Sequence, residues 1–311
     1  MAEDADSKRV LVTGVGGFIG GFLARDLASR GYEVIGTARS RQGVPLSVVS
    51  SCRELHAVSI GGATDWTTLL AGVRAVVHCA AHVHIARPSR HDQRLFQEVN
   101  VEGARRLAEA CRGKKVELLI NLSSIAARAV ELGPERAGYG HSKAEGEQAI
   151  ERALAGSLSR HVCLRLPAVY GPGCKGSLGL LFRLLGSGLP LPIVTGAAKR
   201  SYLSVWNLAD CVEHCLLKPP SHSCTVAVAD PTTLDLEELV LTIAQARGRR
   251  QPLLRVRRTT LAVLARLIGR GRQFERGFRA DVVDPAEAMV ALGWQPSLSA
   301  AECWARVVAA R

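Results

Sequence analysis

The chain has 311 residues, 47% hydrophobic and 22% charged, with 40 Lys and Arg against 28 Asp and Glu for a formal charge of +12. That length can bury one large core, or a core with a smaller lobe, and the composition excludes a disordered or fibrous chain. No apolar run reaches the ~18 residues of a membrane span, and the polar first residues, Met1 to Lys8, predict no signal peptide.

The positive charge favours anionic partners such as nucleotide phosphates or an acidic membrane surface. Aromatic residues make up only 5%, and no helix-turn-helix, zinc-finger or RNA-binding pattern occurs, so nucleic acid is not an expected partner. Nine cysteines without a paired C-x-x-C read as reduced thiols of a cytoplasmic protein. Cys211, His214 and Cys215 share one helical stretch, but no second ligand pair accompanies them, so no metal site is predicted.

In chain order, the apolar run Arg9–Thr13 reads as a strand that ends in Gly14, Gly16, Gly17 and Gly20. Phe22, Leu23 and Leu27 then repeat at helical spacing. A strand, a glycine turn and a helix N-terminus make an anion site, because free amides and the positive end of the helix dipole face the ligand. The turn therefore nominates Gly14, Gly17, Phe18, Ile19 and Gly20 as dinucleotide contacts.

Strands follow at Tyr32–Thr37, near Glu54–Val58 and at Ala75–His78, with a short helix expected from Asp65 between the last two. Helix Gln93–Cys111 precedes strand Val116–Leu122, and helix Tyr139–Leu154 precedes strand Val162–Leu166. The alternation predicts an α/β protein with a doubly wound parallel sheet. Past Gly171-Pro172-Gly173 the alternation weakens and Pro and Gly cluster around 186–196. Residues 1–170 are assigned to a dinucleotide-binding domain and 171–311 mainly to a smaller substrate lobe, with some segments returning to the sheet.

Ala38 follows the second strand, at the position where NAD-preferring folds place a carboxylate for the ribose hydroxyls. Arg39 follows, with Arg41 close by, and a guanidinium suits the 2′-phosphate of NADP. NADP(H) is the favoured cofactor, with NAD(H) the alternative.

Tyr139-Gly140-His141-Ser142-Lys143 places a phenol and an ammonium four residues apart on one helix face. A neighbouring cation favours phenolate and makes tyrosine usable near neutrality. Ser123 and Ser124, at the end of the preceding strand, can bond the same substrate oxygen. His82, His84 and His91 fall in the loop after the fourth strand, as substrate-facing groups, with His82 the candidate, or as solvated ones. The stretch from Arg247 to Arg279 is strongly basic and encloses an apolar helix over Leu261–Ile268. Its alternatives are a substrate-lobe helix packed inward and a peripheral membrane contact.

Together these motifs resemble the extended short-chain dehydrogenase/reductase family, of the NAD-dependent epimerase/dehydratase type that acts on nucleotide sugars. Thr13-Gly14-x-x-Gly17-x-x-Gly20 resembles its T-G-x-x-G-x-x-G turn, and His78-Cys79-Ala80-Ala81 its H-x-A-A turn under the cofactor. Val99-Asn100-Val101-Glu102-Gly103 is similar to its V-N-x-x-G helix, and Leu164–Gly173 to its L-R-x-x-x-V-Y-G-P-G segment. Arg200–Asp210 and Leu292-Gly293-Trp294-x-Pro296 resemble two later elements. The likeness spans nearly the whole chain and implies a Rossmann-like sheet and a homodimer.

Carried over residue by residue, the resemblance makes Tyr139 the general acid/base and Lys143 its partner and that of the nicotinamide ribose. Ser124 matches the catalytic hydroxyl better than Ser123, Ala80 and Ala81 lie against the cofactor, and Arg200 contacts the substrate diphosphate. Departures narrow the chemistry. Ile125-Ala126 replaces the dehydratases' Asp-Glu pair, Ala168 stands where many members carry a substrate-binding Asn, and Trp206-Asn207 replaces an acidic position.

The leading expectation is an oxidoreductase at C4 of a nucleotide-activated sugar, leaning to reduction of an NDP-4-keto sugar. A nucleotide-sugar 4-epimerase with retained NAD is the alternative. A steroid- or flavonoid-type alcohol dehydrogenase and a catalytically silent dinucleotide sensor complete the set.

Overall fold

The computed structural model describes residues 8–83, 89–132, 138–187, 190–194, 197–248, 251–267 and 281–310. His84, the first residues and most of the basic stretch between 268 and 279 lie outside the described residues. The chain divides into two units, and the first comprises 1–166, 209–227 and 287–294.

The strands are β1 (Arg9–Thr13), β2 (Glu33–Ala38), β3 (Glu54–Ala57), β4 (Ala75–His78), β5 (Leu118–Ser124), β6 (Arg160–Leu166), β7 (Ala168–Tyr170), β8 (Leu191–Ile193), β9 (Arg200–Ser204), β10 (Cys224–Ala227), β11 (Thr233–Leu234) and β12 (Leu253–Arg255). The first unit holds a seven-stranded sheet in the order β10-β6-β5-β4-β1-β2-β3, parallel throughout. The expected doubly wound sheet is thus present, and β10 is the late segment that returns to it.

The near-continuous apolar runs of β1, β4 and β5 suit strands covered on both faces. Leu11, Ile35, Val76, Leu119 and Cys163 pack with Leu107 and Cys111 of the Gly103–Gly113 helix and Ile150 and Leu154 of the Tyr139–Leu154 helix. Strand order reverses between β1 and β4, and such a switch point opens a crevice at the carboxyl ends of the strands. Register puts Thr13 beside Thr37 on β2 and His78 on β4, so these residues line that end.

Two expected helices differ. Asp65 begins no helix; its Oδ1 accepts from Thr67 N at 2.9 Å, and the following turns bury Trp66 and Leu70 in the core. An Asx turn and one anchoring indole replace the helix there. The helix expected at Gln93–Cys111 starts at Arg90 behind a capping box of Ser89 and Asp92. It then widens into a π-helical segment, Phe96–Glu102, before continuing as Gly103–Gly113. Gly103 fits because a Cβ there would lie 2.6 Å from Ile60 Cγ2.

The second unit comprises 167–208, 228–286 and 295–311. It carries a three-stranded sheet, β11-β9-β7, and the pair β12-β8. Trp304 stacks on Tyr170 with ring centroids 3.7 Å apart, and Phe182 and Tyr202 pack around the same indole. Beside them Asp230 accepts from Tyr170 Oη at 2.7 Å, Asn207 Nδ2 at 2.8 Å and Ser204 N at 3.1 Å. Asn207 therefore serves the internal structure of this unit. In the Arg258–Leu267 helix, Val263 and Leu267 are exposed while Leu261 is half-buried, so its apolar residues are only partly packed inward.

Candidate active site

The glycine turn is built by different glycines for different reasons. Gly14 has φ +73°, and a Cβ there would stand 2.9 Å from the Ala80 backbone. At Gly20 a Cβ would stand 2.4 Å from Gly14 O. Both are thus required by packing within the turn, which draws Ala80 up against β1. Gly16 and Gly17 are exposed, and Gly17 is the N-cap of the Phe18–Ser29 helix, which has neither a side-chain cap nor an acidic residue in its first turn. An uncapped, open helix N-terminus fits the diphosphate of a dinucleotide.

Thr13 locks the two turns together. Its Oγ1 accepts from Cys79 N and Ala80 N, both at 3.1 Å, and lies 2.8 Å from His78 Nδ1. With its lone pairs engaged by two amides, the hydroxyl donates to Nδ1, and the imidazole is neutral with its proton on Nε2. Burial pushes the His78 imidazole down to about 3 from 6.5, with the Lys143 charge as a smaller cause.

The depressed folded value has a definite sign. The unfolded chain takes this proton first, so the stability held above pH 6.5 is lost as pH falls toward about 3. Melting temperature should fall more steeply on acidification in the wild type than in His78→Gln. Equal acid-side slopes would contradict the buried neutral state.

Ser124, Tyr139 and Lys143 come together at the end of β5. Ser124 Oγ accepts from Ala126 N at 3.2 Å and its hydroxyl donates to the Tyr139 phenol. Burial nevertheless raises the phenol above its ordinary range, with Ser124 opposing the shift. The expected lowering by Lys143 is absent from this arrangement, because Lys143 Nζ donates to Leu122 O at 2.6 Å. Burial pushes the Lys143 ammonium down to about 8, opposed by Cys163, Glu147 and Cys79.

Sequence reasoning gave no role to Asn100. From the π-helical segment its Nδ2 donates to Ser142 Oγ at 2.9 Å and His82 O at 3.0 Å, while its Oδ1 accepts from His82 N at 2.8 Å. The wide turn thus ties the loop after β4 to the helix carrying Tyr139. The His82 ring lies 4.9 Å from Phe96, which in turn lies 6.2 Å from Tyr139.

Other candidates are placed differently. Ser123, the other serine considered for substrate, is buried and donates to Glu147, so its hydroxyl is engaged inside the core. His82 Nε2 lies 3.2 Å from Asp92 Oδ1, and its side chain is half-buried. His91 is exposed. Ala38 is the buried last residue of β2 and Arg39 beyond it is exposed. Arg200 belongs to the second unit, where its guanidinium lies 3.8 Å from Asp281. His214 Nε2 is 2.9 Å from Leu292 O, and among the described residues no group of three metal-ligating side chains forms.

Residues 10–227 match the NAD dependent epimerase/dehydratase family. The UDP-glucose 4-epimerase of Vibrio cholerae is 29% identical over 304 residues, 93% of this chain and 91% of that protein. A ceramide reductase of Caulobacter vibrioides is 31% identical over 67% of this chain and 61% of its own length. The crystal structure of UDP-glucuronic acid 4-epimerase from Bacillus cereus in complex with NAD superposes with a TM-score of 0.74 at 19% identity, covering 97% of this chain and 98% of that one. The shared architecture bears out the Rossmann-like fold.

Proposed function

The chain belongs to the NAD dependent epimerase/dehydratase family, and on that premise we propose that it interconverts the C4 epimers of a UDP-hexose with a retained nicotinamide dinucleotide. One observation carries the reading. Ser124, Tyr139 and Lys143 meet at the end of β5, and the residues that follow are Ile125 and Ala126. The site thus holds groups for moving one hydroxyl proton and lacks, at that position, the carboxylates for eliminating water. The full-length likeness to a UDP-glucose 4-epimerase supports the substrate class.

The amides of Phe18, Ile19 and Gly20 would hold the diphosphate, with Gly17, whose N–H donates to Gly14 O at 2.9 Å, Gly14 and Ala80–Ala81 supporting that turn and Lys143 serving the nicotinamide ribose. When bound, the dinucleotide supplies a hydride acceptor and donor for C4. Tyr139 takes the C4 hydroxyl proton and later returns it. Ser124 orients that hydroxyl by the same bond it now makes to the phenol. The raised phenol needs a charge to become a base, and the Lys143 ammonium supplies it once turned from Leu122 O. Arg200 is assigned to the substrate diphosphate.

A second reading is net reduction of an NDP-4-keto sugar by NADPH. The observation favouring it is the end of β2, where Ala38 offers no carboxylate and Arg39 is exposed. Conversion of a UDP-hexose to its C4 epimer without consumption of nicotinamide distinguishes the two, since the reductase oxidises one NADPH for each sugar. Cytoplasmic location and a homodimer remain part of the proposal.

A further inference from the structure

Three consecutive residues of β5 grip three side chains of the Tyr139–Leu154 helix. Ser124 bonds Tyr139, Leu122 O accepts from Lys143 at 2.6 Å, and Ser123 donates to Glu147. Tyr139, Lys143 and Glu147 are spaced four residues apart and form one stripe of the helix. Glu147 is buried, with 7% of its side chain exposed. It is also held from β6, where Arg165 Nη2 lies 2.7 Å from Oε2 and Nε lies 3.1 Å from Oε1. The carboxylate therefore joins β5, β6 and the helix that carries both catalytic candidates.

We propose that Glu147 is a positioning residue: clamped by Ser123 and Arg165, it sets the register of Tyr139 and Lys143 over the strand end and supplies the counter-charge of the Lys143 ammonium. The part in turnover rests on the reaction proposed above, whereas the charge relation to Lys143 does not.

The surroundings of Lys143 single out Glu147. From the end of β4 it is faced by His78, whose imidazole burial pushes down to about 3, and by the Cys79 thiol, pushed up to about 12. From β6 comes the Cys163 thiol, also pushed up to about 12 by burial. At neutral pH these three groups are uncharged. Of the groups that raise Lys143 against its desolvation, Glu147 is then the one carboxylate among the described residues. Arg165 bears a like charge, but its guanidinium is directed to Glu147 by a two-nitrogen contact. A buried ammonium with no anion nearby loses its proton readily.

The chain has only seven lysines, so Lys143 can be titrated directly by NMR of protein carrying ¹³C-labelled lysine, with its signal assigned by loss in Lys143→Arg. In Glu147→Gln the Lys143 midpoint should fall by about one pH unit, the scale expected for removing a nearby opposite charge. An unchanged midpoint in folded Glu147→Gln overturns the proposal. Glu147→Asp keeps the charge but is too short to span Ser123 and Arg165. It should hold the wild-type midpoint while kcat falls about tenfold with KM little changed, as expected for a misplaced reacting group. Wild-type kcat in Glu147→Asp also overturns the positioning role, and this variant decides the matter if Glu147→Gln does not fold. Should the wild type turn over no UDP-hexose while the Glu147→Gln midpoint falls, the reaction fails and the counter-charge role stands.

Discussion

Tyr139→Phe should lower kcat by about 100- to 10,000-fold, the usual contribution of a positioned acid or base, while nucleotide affinity changes little. The deleted oxygen is the one bonded by Ser124, and no other hydroxyl of the described site stands on that helix stripe. The ring itself remains against Phe96, 6.2 Å away, so packing is preserved and the loss is chemical. The wild-type phenol is held above its ordinary range by burial, which leaves it protonated at rest and makes turnover depend on the Lys143 charge. With Lys143 at about 8, activity should decline on the alkaline side as that ammonium is lost. Turnover assays and nicotinamide fluorescence titration check both parts. A Phe variant retaining most of its kcat would remove Tyr139 from the acid/base role.

Arg39→Ala should narrow the difference between NADPH and NADH affinity by about 1.5–3 kcal/mol, the scale of a charge-assisted hydrogen bond. Arg39 directly follows β2, beside a buried Ala38 that can neither bond ribose hydroxyls nor repel a phosphate. Among the described residues it forms no ion pair, so its guanidinium has no competing carboxylate. Loss of preference in the variant, read by fluorescence titration of both nucleotides, is the expected outcome. Equal wild-type affinities would reduce Arg39 to a surface charge. Nucleotide preference and net turnover are separate properties, so this result leaves the direction of the reaction to its own test.

Local spacing made much of this site legible. The glycine turn after β1 and the Tyr139–Lys143 interval are set by strand and helix geometry over a few residues, and sequence alone displays them. The roles within the turn were less visible: Gly14 and Gly20 are required by contacts with the N and Cα of Ala80 and with each other, which only the fold brings close. Asn100 escaped assignment because a π-helical turn breaks the periodicity on which helix reading depends. The adjacent hydroxyls of Ser123 and Ser124 look alike in sequence until side-chain alternation along β5 directs one toward Glu147. The second use of the Ser89–Asp92 capping box, holding His82, shows only in the fold. Asp65 misled because its side chain stabilises a turn with the same residue that would begin a helix.

In the proposed reaction Ser124, Tyr139 and Lys143 move one proton at C4 while the nicotinamide is conserved. Its most direct measurement follows UDP-glucose by proton NMR with nicotinamide absorbance recorded on the same sample. A second anomeric signal, that of the C4 epimer, should grow to equilibrium with no net change in absorbance and be absent in Tyr139→Phe. An unchanged UDP-glucose spectrum, with NADPH absorbance lost in proportion to an added 4-keto sugar, would contradict it and establish the reductase.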